Sequence, residues 1–121
     1  MKNKTMSIIL ESLERAIEEA ASGNPSFKIT LSDKQEPSKW LQLSWDSLNF
    51  AYPEVEPPSV ILRRCHIHTP PYVEVSEWEP GRFVTFSHGA EPLEQLAEFA
   101  EAIFTLVVHG DPTSGVISEH E

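Results

Sequence analysis

Cysteine is nearly missing from this chain of 121 residues. Cys65 stands alone, so no internal disulfide can form, and a reducing compartment, the cytoplasm, is the simplest setting for it. Long apolar runs are missing too. No stretch approaches the ~20 apolar residues that cross a bilayer as a helix, and Glu11, Glu14 and Arg15 interrupt the N-terminal segment before it resembles a secretory signal. Glycine is scarce, with five scattered residues, which leaves no phosphate-cradling loop. Basic residues number nine against nineteen acidic ones, for a formal charge of −10. That sign repels nucleic-acid phosphates and anionic lipid. It suits a basic protein partner, or a role where solubility matters, and argues against direct contact with nucleic acid or membrane. Repeats and interdomain linkers are absent, and this length supports one core rather than two.

What is present reads as alternating and periodic segments. Met6, Ile9, Leu10, Leu13, Ala16, Ile17 and Ala20 form one apolar stripe at helical spacing. Gly23 and Pro25 stop that helix. Phe27–Ser32 and Lys39–Trp45 alternate apolar and polar residues and should pair as an antiparallel hairpin, with Leu41, Leu43 and Trp45 on the buried side. Leu48–Tyr52 alternates as well, either as a third strand after a turn at Asp46-Ser47 or as a continuation of the second. Pro53–Pro58 carries three prolines and two glutamates, a loop that no sheet interior accepts and the best candidate to face a partner. Ser59–His68 fits a strand through Val60, Ile61, Leu62 and Ile67, and Leu62–Cys65 fits a short helix; the strand is the expectation. Tyr72–Trp78 and Arg82–Ser87 flank Glu79-Pro80-Gly81-Arg82, a type II turn signal. A last helix runs from Pro92 to about His109. Its apolar arc is wide, which fits either burial against a second subunit or clamping between the sheet and the first helix. The prediction is a single α+β domain over 1–110: a mostly antiparallel twisted sheet of four to five strands, with the N- and C-terminal amphipathic helices packed on it. Residues 111–121 read as a flexible polar tail.

Chemistry-bearing patterns are few. In a strand, His66 and His68 would share a face with Cys65 opposite; two imidazoles hold zinc or copper only with a third ligand, and His88, His109 or a glutamate would have to supply it. Paired-cysteine spacings are absent. Cys65 has Arg63, Arg64 and His66 beside it but no evident partner for a Cys–His pair, and reads as buried and inert. Arg63-Arg64 is expected to pair with glutamates such as Glu74 or Glu77. No serine sits in a nucleophile elbow, and no spacing singles out two carboxylates for acid–base work. Catalysis, metal and cofactor are therefore not expected. Aromatic residues are more telling, because alternation must leave some of them facing outward. Trp40 and Trp78, with Phe99 and Leu106 on the wide arc of the last helix, are the expected protein contacts.

The Met6–Ala20 stripe, the Phe27–Trp45 and Tyr72–Ser87 hairpins and the Leu93–Val108 helix, in that order, resemble the type III secretion chaperone-like fold and related bacterial domains. The resemblance covers most of the chain and is architectural. It implies a homodimer that binds extended segments of a client protein along hydrophobic patches. The reading that follows is a non-catalytic, chaperone-like or adaptor-like protein-binding module with an acidic rim. Two alternatives belong to other classes. One is an acidic inhibitor or immunity protein covering a basic site on its target, which requires Glu11, Glu14, Glu18, Glu94, Glu98 and Glu101 to form one face. The other is a small metal- or ligand-binding enzyme built on His66 and His68.

Overall fold

A computed structural model describes residues 4–89, 92–110 and 116–120. They form α1 (Lys4–Ala21), β1 (Lys28–Ser32), β2 (Trp40–Leu43), β3 (Ser47–Ala51), α2 (Pro58–Arg64), β4 (Val73–Glu79), β5 (Phe83–His88), α3 (Leu93–Leu106) and β6 (Val116–His120). The strands make one sheet in the order β4-β5-β3-β2-β1-β6, and every neighbouring pair is antiparallel. The class is α+β, as the strand alternation and the helical stripes predict.

All three helices contribute to one core on one face of the sheet. Leu41 and Leu43 of β2, Leu48 and Phe50 of β3 and Val84 and Phe86 of β5 are buried there, because side chains two apart on a strand share a face. Ile9 and Leu13 of α1, Ile61 and Leu62 of α2, and Leu96, Phe99, Ile103 and Phe104 of α3 meet them. Phe86 stands edge-on to Phe50 at 5.8 Å and to Phe99 at 5.2 Å, the arrangement that ring quadrupoles favour. A satellite cluster of Ala16, Phe27 and Ile29 lies beside the core, with the Arg15 guanidinium 5.3 Å over the Phe27 ring.

The Glu79–Arg82 turn forms as its residues dictate. The Arg82 N–H donates to the Glu79 carbonyl at 3.1 Å, and Gly81 takes φ +70°, where a Cβ would be strained. In β4 the apolar residues Val73, Val75 and Trp78 break strict alternation between 75 and 78. A bulge at Ser76 absorbs the odd residue. As a result Glu74, Glu77 and Glu79 pair with Ser87, Thr85 and Phe83 and share the face turned away from the helices. β4 is an edge strand, and its glutamates discourage a second β4 from pairing with it.

Three expectations change, and one open alternative resolves. Ser59–His68 is not a strand: Pro58–Arg64 is helical, with Pro58, Ile61 and Leu62 buried at helical spacing. Proline at the first helical position presets the turn, and burial of that face outweighs the β-preference of Val60 and Ile61. The helix closes in a Schellman motif, with His66 N–H to Arg63 O at 3.1 Å, Ile67 N–H to Leu62 O at 2.9 Å and His66 itself at φ 57°. The sheet has a sixth strand, because Val116–His120, expected within the polar tail, pairs with β1; 111–115 and 121 lie outside the described residues. β2 ends at Leu43, which releases Trp45 from the buried face and leaves it 42% exposed. Leu48–Tyr52 resolves as a third strand that ends at Ala51.

Candidate functional site

Because the helices lie on one side, the opposite face of the sheet carries no layer among the described residues, and its side chains in β1, β2 and β3 are half-buried rather than buried. The register orders that face into rows. One row is polar: Glu77, Thr85, Asn49, Gln42 and Thr30 are successive cross-strand partners. Thr85 Oγ1 donates to Asn49 Oδ1 at 2.9 Å, and Gln42 Nε2 donates to Thr30 Oγ1 at 3.4 Å. The next row carries the apolar surface. Glu79, Phe83 and Ala51 are partners in turn, and Trp40, paired with Ser32, continues the line across β2. Trp40 is half-buried and borders a hollow of about 260 Å3 that Ala51, Lys39 and Arg82 also line. The Lys39 and Arg82 ammonium and guanidinium groups are held by Glu36 at 3.1 Å and Glu79 at 3.2 Å. Exposed pairs of this kind position side chains but contribute little stability.

The four residues predicted to touch a partner are not all brought together; only Phe99 and Leu106 line one cleft. Trp40 lies on the open face. Trp78 lies on the other face, half-buried and edge-on to Tyr52 at 6.0 Å. Phe99 is 3% exposed: the wide arc of α3 is satisfied within the chain by Phe86, α1 and α2, so this ring belongs to the core. Leu106 is 49% exposed and lines a cleft of about 550 Å3 with His66, His68, Pro70, Gln95 and Glu98. Sequence reasoning missed Trp45 as an outward aromatic. Its signal was the turn run Ser44-Trp45-Asp46-Ser47, where Ser44 Oγ contacts Ser47 Oγ at 2.7 Å and Asp46 Oδ1 at 3.2 Å. Trp45 lines an open hollow of about 310 Å3 with Ile17, Ala20, Ala21 and Pro25.

His66 and His68 share the Leu106 cleft, but among the described residues no group of three His, Cys, Asp or Glu side chains converges in metal-binding geometry. Cys65 is half-buried and directs Sγ toward the Leu106 carbonyl at 4.0 Å. Arg64 pairs with Glu56, at 2.8 and 2.9 Å to its two oxygens, and not with Glu74 or Glu77. The same loop is held by the Tyr52 hydroxyl, which donates to the Glu56 carbonyl, and by Gly81 N–H to Glu54 O at 2.9 Å. Burial, with Glu54 and Glu56 nearby, pushes the Tyr52 phenol up to about 12. Val55, 73% exposed, marks the loop's outer surface.

The helical layer has a second feature. Between α1 and α3 runs a groove of about 930 Å3, lined by Leu10, Glu14, Pro92, Leu93, Glu94, Gln95 and Glu98. Three of the six carboxylates expected on one face meet there; Glu11, Glu18 and Glu101 do not line it. No helix among the described residues is long and apolar enough to cross a membrane.

Comparison with protein-family models, with curated proteins and with solved structures found no match. Fold and surface define the class by themselves: an α+β domain with an antiparallel sheet, helices on one face and an acidic rim beside the uncovered one.

Proposed function

We propose that this chain is a non-catalytic, chaperone-like protein-binding module that acts as a homodimer in a bacterial cytoplasm and binds a basic client protein. The observation that carries the reading is the uncovered sheet face, where Trp40, Ala51 and Phe83 form an apolar row that ends at an acidic edge of Glu74, Glu77 and Glu79. Apolar rings supply affinity when a partner excludes water from them, and the carboxylates steer a basic segment and set its register. The resemblance to type III secretion chaperones supports the same reading.

The test is binding to an immobilised basic protein kept unfolded by reduction. Trp40→Thr, which keeps a strand-forming residue, is expected to weaken binding about tenfold while the urea midpoint of folding stays close to that of the wild type. Equal binding by the variant, or no binding by the wild type, removes the open face as the site. The inhibitor reading draws on a different observation, the meeting of Glu14, Glu94 and Glu98 in one groove. It requires a folded basic target rather than an unfolded one.

A further inference from the structure

The α1–α3 groove combines an apolar floor with acidic walls. Leu10 and Leu93 are half-buried and packed against the core, so each shows one side to the groove. Glu14 on α1 and Glu98 on α3 are exposed above them. Glu94 stands one helical turn before Glu98, and no basic side chain is among the described residues that line the groove. Both walls are helices that bond their backbones internally, apart from the first-turn N–H groups of α3 at Leu93, Glu94 and Gln95, which point along the helix axis and form no strand ladder. The groove therefore offers side-chain ridges and no free backbone ladder, which suits an occupant that interdigitates side chains, a helix, over one that needs strand pairing.

We propose that this groove receives a cationic amphipathic helix of a partner protein, with apolar residues on Leu10 and Leu93 and lysines or arginines against Glu14 and Glu98. The proposal rests on the protein-binding reading but not on which sheet face the client touches. Other occupants fit less well. A phosphate backbone or an anionic membrane meets charge of its own sign. A second copy laid on the groove about a two-fold axis sets Glu14 and Glu98 against glutamates of the same acidic groove. A metal ion lacks three converging ligands among the described residues.

The experiment uses the full chain, isotope-labelled, titrated with an amidated helix of about 15 residues, the length at which isolated helices become stable. The helix carries leucines at i, i+3, i+4 and i+7 with lysines flanking them, and its control is the same peptide with every lysine replaced by glutamate. The lysine peptide is expected to bind and to shift the backbone amide signals of Leu10, Leu93 and Glu98. Its affinity should fall with added salt. The double substitution Glu14→Lys, Glu98→Lys, both on exposed side chains, should weaken it by about tenfold. Shifts confined to Trp40, Ala51 and Phe83, with sensitivity to Trp40→Thr, overturn the groove while leaving the protein-binding reading intact. No binding of the lysine peptide, equal binding of the glutamate control, or loss of the groove signals to self-association as protein concentration rises overturns it as well.

Discussion

His88 closes β5 nearly out of water, and its Nε2–H donates to the Ser44 carbonyl at 3.3 Å. Its own backbone N–H meets Asp46 O at 3.0 Å, so the residue fastens β5 to the β2–β3 turn that presents Trp45. Burial lowers the imidazole pKa from its ordinary 6.5, with the Ser44 carbonyl and Asp46 opposing weakly. Between the folded and unfolded values the unfolded chain binds the extra proton. The stability contributed by neutral His88 is therefore complete above pH 6.5 and lost as pH falls toward the lower folded value. Urea midpoints measured from pH 8 to pH 5 should fall more steeply for the wild type than for His88→Gln; parallel curves would sink this account. Other residues work by geometry alone. His109, at φ 63°, takes the left-handed position after α3 that glycine usually fills. Gly110 is needed for space instead, since a Cβ there would lie 2.5 Å from the Phe104 ring.

Among the elements, β4 shows how one extra residue sets the character of an edge. Ser76 is the residue that opposes nothing in β5, and by absorbing it the strand keeps Val73 in the core and Glu74 on the open face. Deleting Ser76 preserves those pairings, so the stability change is expected to stay within about 1 kcal/mol. Deleting Glu74 instead turns Val73 out of the core and should cost about 2 kcal/mol, the order of the transfer free energy of a buried valine. Urea unfolding of the two deletions compares them directly, and equal losses would mean the register slips freely. α2 shows the opposite balance. Its β-branched residues favour a strand, yet Pro58, the buried Ile61 and Leu62 and the Arg63-Arg64 pair in the last turn hold a helix, where cations complement the C-terminal dipole.

At the scale of the molecule, one-sided packing leaves two unlike surfaces: an open sheet face with Trp40 and Phe83, and a helical face with an acidic groove. Net charge distinguishes the ways they are used. Two copies each carrying −10 repel, so the proposed homodimer should tighten as salt screens that repulsion, whereas a complex with a basic partner should loosen. Light scattering across a salt series is expected to show a mass of twice 13.6 kDa, with the dimer favoured at higher salt. A 13.6 kDa monomer at every salt and protein concentration would remove the dimer from the proposal.

The chain by itself determined what depends on neighbours along it. Alternation gave β1, the first part of β2 and β5, the 3.6-residue stripes gave α1 and α3, and Glu79-Pro80-Gly81-Arg82 gave its turn, because strand pleat, helical pitch and the φ of proline and glycine are local properties. Tertiary structure decided what depends on distant surfaces. Ser59–Arg64 has local signals for two states, and only the surface formed by Tyr52, Val84, Phe86 and Ile103 selects the helix. Phe99 and Leu106 look alike in the stripe, but Phe86 lies under one and solvent over the other. Trp40 was legible as an outward aromatic because alternation fixes its face. The meeting of Glu14 with Glu98, and the parting of Trp40 from Trp78, follow from which helices pack together and on which side of the sheet, and no local pattern encodes that.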